Sequence, residues 1–240
     1  MQLLFDLLRF PETLGSRELE ALSSFGVKGA VVSSSESADA DREVVRLRHA
    51  GIAPFLSFVP SSAALPGPAL ETELQRLPAL LSLPRAVALG PLGVQPDSMA
   101  REYAFERLLA LAGELDRPVI IRGDPAGKDK EMRRVLSMVQ ASRVAPARVL
   151  AVSMPAPTRT LFREYGYWVG VGLSPALPGP RLVQTVQRLG SERFLLLGEG
   201  ADFLSLPKAA ALLEEAKLPA SVIRRVAREN AMRFFGIDEL

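Results

Sequence analysis

Eight short apolar, β-branched runs alternate with longer amphipathic stretches from one end of this chain to the other, and that alternation limits the fold more than any other feature. A short apolar run flanked by turn residues reads as a strand buried on both faces. An amphipathic stretch between two such runs is the crossover helix that parallel neighbours need. The runs lie at 2–7, 29–33, 54–59, 86–90, 118–122, 148–152, 167–172 and 194–197. The helical patterns fall at 16–24, 40–49, 69–81, 98–115, 130–141, 158–165, 181–189 and 206–216, with a final helix at 220–234. Eight strand–helix units in 240 residues fit a closed barrel of about 250 residues better than an open doubly wound sheet of about six strands. The expected fold class is therefore α/β, a TIM (β/α)8 barrel with an extra C-terminal helix, and residues 1–240 form one domain.

Local signals agree with this reading. Ser98 is placed to cap a helix in which Ala104, Leu108, Leu111 and Leu115 recur at helical steps, and Asp116-Arg117-Pro118 stops it. A small internal repeat, Ala64-Leu-Pro-Gly-Pro-Ala-Leu70 and Ala176-Leu-Pro-Gly-Pro-Arg-Leu182, follows the third and seventh strands. Both copies would then stand on one rim, as stiff walls or simply as helix starts set by proline.

Composition removes whole classes of chemistry. With no cysteine, the chain has no disulfide, no thiolate metal site and no cysteine nucleophile. Its one histidine, His49, falls at the end of the second helix, where it serves the free carbonyls there better than a metal. A net charge of +2 is far from the one-sided charge of a nucleic-acid binder. No apolar run is long enough to span a bilayer and the start lacks a secretory pattern, so the expectation is a cytoplasmic protein with no membrane association. Gly123-Asp-Pro-Ala-Gly-Lys128 falls short of a phosphate-binding loop, and Gly170-Val-Gly172 of a dinucleotide fingerprint.

Several segments, in order, resemble the TatD family of metal-dependent hydrolases. Gly90-Pro-Leu-Gly-Val94 is similar to its Gly-Glu-Ile-Gly-Leu strand, and Arg117-Pro-Val-Ile-Ile121 to its Pro-Val-Val-Ile-His strand. Tyr165-Gly-Tyr-Trp-Val-Gly170 and Leu195-Leu-Leu-Gly-Glu-Gly-Ala-Asp-Phe-Leu204 resemble two later strands. Val226-Ala-Arg-Glu-Asn-Ala-Met-Arg-Phe-Phe-Gly236 resembles the family's closing helix. The resemblance implies a metal site at the strand ends, yet the positions that match its ligands read Leu8, Phe10, Pro91, Arg122, Ala151 and Gly200, and Ser57-Phe-Val-Pro60 stands for Gly-x-His-Pro. Neither metal nor cofactor is expected.

A polar rim remains. Asp6, Arg9, Arg122, Ser153 and Asp202 are the candidate ligand-binding residues, with Gln95 and Ser174 nearby, and Asp124 and Glu199 are candidates for metal-free acid–base catalysis. Arg122 puts a fixed cation where the resemblance implies a ligand. Either it pairs with Asp6 or Glu199 as an internal ion pair, or its fork holds an anion. A third arrangement, an all-oxygen magnesium or calcium site, would draw on Asp6, Asp124, Glu199 and Asp202. The expected function is a TatD-like barrel that has lost nuclease or phosphoesterase activity and acts in binding, regulation or assembly. The alternative is an active hydrolase with a non-standard carboxylate site or a metal-free mechanism. Expected partners are a protein or a small anionic ligand. Nucleic acid is the weaker case, because Asp129 and Glu131 interrupt the basic cluster Lys128, Lys130, Arg133, Arg134, Arg143 and Arg148.

Overall fold

A strand covered on both faces has no polar side to show, and Val119, Ile120 and Ile121, like Val149 to Val152, are buried without alternation. In the computed structural model, residues 4–8, 14–60, 67–93, 98–124, 128–174, 177–198 and 204–240 are described, the first five as backbone alone. The strands are β1 (Leu4–Leu8), β2 (Val27–Ser34), β3 (Ala53–Phe58), β4 (Ala86–Gly93), β5 (Val119–Arg122), β6 (Val149–Val152), β7 (Trp168–Val171) and β8 (Phe194–Leu196). They are hydrogen-bonded in chain order, β1 through β8, in one sheet. Helices follow the strands: α1 (Ser16–Ser24), α2 (Ser37–His49), α3 (Pro68–Leu81), α4 (Met99–Glu114), α5 (Asp129–Ala141), α6 (Ala156–Glu164), α7 (Gly179–Leu189) and α8 (Ser205–Glu215). The fold is the TIM-barrel-like α/β arrangement that the alternation predicts. Among the described residues, no helix is long and apolar enough to cross a membrane.

The chain divides into two compact units, one of Met1–Ser33, Ala38–Phe55 and Gly170–Leu240, the other of Ser34–Ser37 and Leu56–Val169. In the first unit β1 and β2 run parallel, with Asp6 opposite Ala30. Its core is built from Leu19, Leu22, Val31, Leu47, Leu182, Phe194 and Leu213. His49 closes α2 as an exposed last residue. The carbonyls there are met by the backbone instead, since Gly51 at φ +73° lets Ile52 N–H reach Leu47 O.

The second unit holds parallel β3 to β6 over Leu56, Phe58, Leu77, Leu89, Leu108, Val135 and Phe162. Ser98 does stand at the N-cap of α4, but its side chain makes no capping bond; its carbonyl accepts from Arg101 and Glu102 N–H instead. Pro68 opens α3 directly after Gly67 at φ +122°, the helix-initiating role of the first proline motif. In the second motif Pro178 stands at the N-cap of α7 with a proline in its first turn, while residues 64–66 and 176 of the two motifs lie outside the described residues.

A pair of matching ion pairs, thirty positions apart, escaped the sequence reading. Glu43–Arg46 in α2 and Glu73–Arg76 in α3 each bond at 2.6 Å with the carboxylate almost covered. Each arginine then reaches back to a loop carbonyl, Arg46 to Leu14 and Arg76 to Ser35. The signal in the sequence is a Glu-x-x-Arg spacing in each of two successive helices.

The closing helix departs from expectation. It forms as α9 (Ala220–Arg224), a wide π turn (Arg225–Glu229) and α10 (Asn230–Phe235). Its buried residues Val226, Ala227, Asn230, Ala231, Phe234 and Phe235 recur at steps of four. That is longer than the ~3.6-residue period of an α-helix, and one under-wound turn reconciles the two. Asn230, with no exposed surface, donates from Nδ2 to Ser191 O at 2.6 Å and Phe194 O at 2.7 Å, which fixes the entry to β8. Arg225 adds Glu192 at 2.7 Å.

Candidate functional site

The described part of the candidate site is the C-terminal end of β4 to β6, all within the second unit. Parallel pairing sets Gly93 opposite Arg122 and Arg122 opposite Val152, so these strand ends are level. Strands in this fold present their C-terminal ends and the loops after them to the site. Pro91 sits late in β4, Arg122 is the last residue of β5, and Ala151 is the second-last of β6.

Two close approaches fix this end. Gly90, at φ +116°, lies so near β5 that an added Cβ would fall 2.4 Å from Ile120 O, and the register between β4 and β5 shifts between Leu89 and Leu92. Gly123 follows Arg122 and donates its N–H to Val152 O at 3.0 Å. A Cβ on Gly123 would meet Met154 Sδ at 2.5 Å and Met132 Sδ at 3.1 Å, so two methionines close over the end of β5. Next to them, Ser153 holds φ +55°, a conformation rare for a side-chain-bearing residue and one found at turns that aim functional groups.

Arg122 is half-buried with its Nε enclosed, and Asp124, two residues on, is exposed. Thus Arg122, Asp124 and Ser153 come from one corner of the second unit. Asp6 is described only as β1 backbone, and Ser174 forms an isolated bridge with Leu177 in the first unit. Arg9, Gln95, Glu199 and Asp202 lie outside the described residues.

The helices behind this corner are tied at their first turns. Thr158 Oγ1, buried at the start of α6, donates to Asp129 Oδ1 at 2.6 Å at the start of α5, and Arg133 Nε bonds Asp129 Oδ2 at 2.6 Å. The Thr158 hydroxyl, and secondarily Arg133, hold the Asp129 carboxyl below the usual carboxylate range. A lowered folded-state pKa contributes stability above the ordinary aspartate value and loses it as pH falls through the folded value. Thr158→Val removes the main cause. The Asp129 pKa then rises toward its ordinary value in an NMR titration, and the acid limb of the stability curve moves to higher pH.

Four residues of the basic stripe are ion-paired. Lys128 meets Glu131 at 3.7 Å, Arg133 meets Asp129, Arg134 meets Glu102 at 3.0 Å, and Arg148 meets Asp116 at 2.7 Å. Among the described residues, no group of three or more histidine, aspartate or glutamate side chains is placed to hold a metal ion.

No family model matches the sequence, and no curated protein matches it. Solved structures do match. A TatD-like protein from Archaeoglobus fulgidus is 22% identical, covers 97% of this chain and 99% of its own, and superposes with a TM-score of 0.75. A lactonase from Listeria monocytogenes is 11% identical over 93% of this chain and 86% of its own, at 0.69. A family 2 AP endonuclease from Brucella melitensis is 12% identical over 90% of this chain and 99% of its own, at 0.57. At these identities the likeness is one of fold, and over nearly the full length of both chains this protein has the TatD-like, TIM-barrel fold.

Proposed function

We propose that this protein is a TatD-like barrel that has given up metal-dependent hydrolysis and works by binding, with Arg122 as the anchor for a small anionic ligand. The observation that carries the reading is the make-up of three level strand ends: Pro91 to Gly93 in β4, Arg122 in β5, and Ala151 with Val152 in β6. A proline ring and a methyl group offer a divalent cation no lone pair. A guanidinium stays protonated at any working pH and repels the cation. What repels a metal attracts an oxyanion, and the planar fork of arginine matches carboxylate and phosphate with two parallel hydrogen bonds. Asp124 is exposed and therefore well solvated, which suits a rim residue better than a buried general base. The basic stripe on and around α5 favours a small anion over nucleic acid, since four of its six charges already have partners.

Inorganic phosphate and citrate serve as probes. A ligand that binds the folded state alone raises the melting temperature in step with its concentration over Kd. Both anions are expected to raise it for the wild-type chain. Arg122→Gln, which keeps the length and loses the charge, cancels the rise. Equal stabilisation of both proteins, or none of either, overturns the assignment of Arg122.

A further inference from the structure

Helix α4 carries Glu102, Glu106, Arg107 and Glu114 on its outer side, but one stripe there is apolar or small apart from Glu106. Its inner side buries Ala104, Phe105, Leu108, Leu109, Leu111 and Ala112. A helix with one free side normally makes that side charged. On α4 the outward stripe is Met99, Tyr103, Glu106, Ala110 and Gly113, at steps of four and three, which is the spacing of a helix–helix seam. Met99 is 89% exposed and Tyr103 51% exposed. At the other end of the same stripe, Ala110 and Gly113 leave a groove of about 560 Å³ against α5, bounded by Glu114, Met138, Ala141 and Arg143. Knob and hole therefore sit on one helix face, about 21 Å apart at the ~1.5 Å rise per residue.

We propose that this stripe is a self-association face and that its occupant is a second copy of this chain. The two copies are related by a two-fold axis passing between Glu106 and Arg107. Pairing two α4 helices antiparallel about that axis lays Met99 of each copy over Gly113 and Glu114 of the other, where the groove is. It also sets Tyr103 over Ala110, and Glu106 against Arg107 of the other copy, twice. A two-fold contact must be complementary to itself, and a projecting methionine and a groove on one helix meet that condition. Charge selects the register. An axis through Ala110 would set Glu106 against Glu114, two like charges, whereas the axis proposed here opposes a carboxylate and the Arg107 guanidinium, which is partly exposed and in its own chain donates to Tyr103 Oη at 2.9 Å and meets Glu71 at 3.4 Å. Ala110 and Gly113 also let the helix axes approach closely at each end of the contact. This inference goes beyond the ligand-binding reading and stands independently of it.

Sedimentation equilibrium of the full chain tests it. The average mass is expected to climb with concentration from 26.0 kDa toward twice that value. Glu106→Arg and Arg107→Glu each raise the dimer Kd at least about tenfold, through like-charge contact repeated across the axis. The double variant E106R/R107E restores association, because the charges have only exchanged sides. Gly113→Arg, whose Cβ makes only ordinary van der Waals contact with the Arg143 backbone at 3.5 Å, fills the groove and abolishes association. Far-UV circular dichroism and a thermal melt establish that each variant is folded. A wild-type chain that stays monomeric up to about 1 mM, a dimer indifferent to the single charge reversals, or a double variant that fails to recover would each overturn the proposal.

Discussion

Replacing Gly90 with alanine is expected to lower the melting temperature by roughly 10 °C, from a loss of about 3 to 5 kcal/mol. The cause is backbone, not side-chain, crowding. The new Cβ would fall 2.4 Å from Ile120 O and 3.0 Å from Leu92 N, neither of which can rotate away. The residue would also be held at φ +116°, outside the range that side-chain-bearing residues occupy comfortably. Two glycines nearby calibrate the effect. Gly93, three positions later in β4, has nothing within 4 Å of its would-be Cβ, so Gly93→Ala should stay within about 0.5 kcal/mol of wild type. Gly123 faces two methionine sulfurs, which can move, and Ser153 O at 3.1 Å, which moves less, so Gly123→Ala should fall between the two. Thermal melts of the three variants check the order; equal losses at Gly90 and Gly93 would contradict the close packing of β4 on β5.

Asn230→Ala is expected to cost about 2 to 4 kcal/mol, because it strips two buried carbonyls, those of Ser191 and Phe194, of their donor at once. Truncation alone would cost far less at a small polar residue. Asn230→Asp separates the two causes. It keeps the shape but turns a carboxylate toward those carbonyls, so at neutral pH it should be the less stable of the two variants. Urea unfolding at pH 7 reads the difference. If Asn230→Asp were as stable as wild type, the two hydrogen bonds would not be what fixes the helix to the entry of β8.

The barrel was legible in the sequence because strands buried on both faces must be apolar throughout, and residues such as Val119 to Ile121 and Val149 to Val152 have no other reason to cluster. Helix ends were legible where proline, glycine or a capping position marked them, as at Gly51 and Pro68. The break in the closing helix was hidden, because steps of four and of 3.6 residues differ little over three turns. The role of Asn230 was visible only as part of a resemblance; its physical reason, two carbonyls more than thirty residues away, needed the fold. Arg122 was placed at the end of β5 from sequence and is found there. The Asp129–Thr158 tie and the methionines over Gly123 were not foreseen, since each joins residues that only adjacent strand ends bring together. The positive φ of Ser153 has no sequence signal, serine being no more expected there than any other residue.

Under the proposed function, a fixed side-chain cation stands where the resemblance to the TatD family implies a metal. Elemental analysis of the purified chain by ICP-MS tests it most directly, after incubation with zinc, manganese, magnesium or calcium and removal of free ions, with phosphodiester hydrolysis assayed on the same samples. Metal well below one equivalent per chain and no hydrolysis that a chelator removes are the expected results. Stoichiometric metal together with chelator-sensitive hydrolysis would contradict the proposed function and would assign the chemistry to carboxylates of the rim.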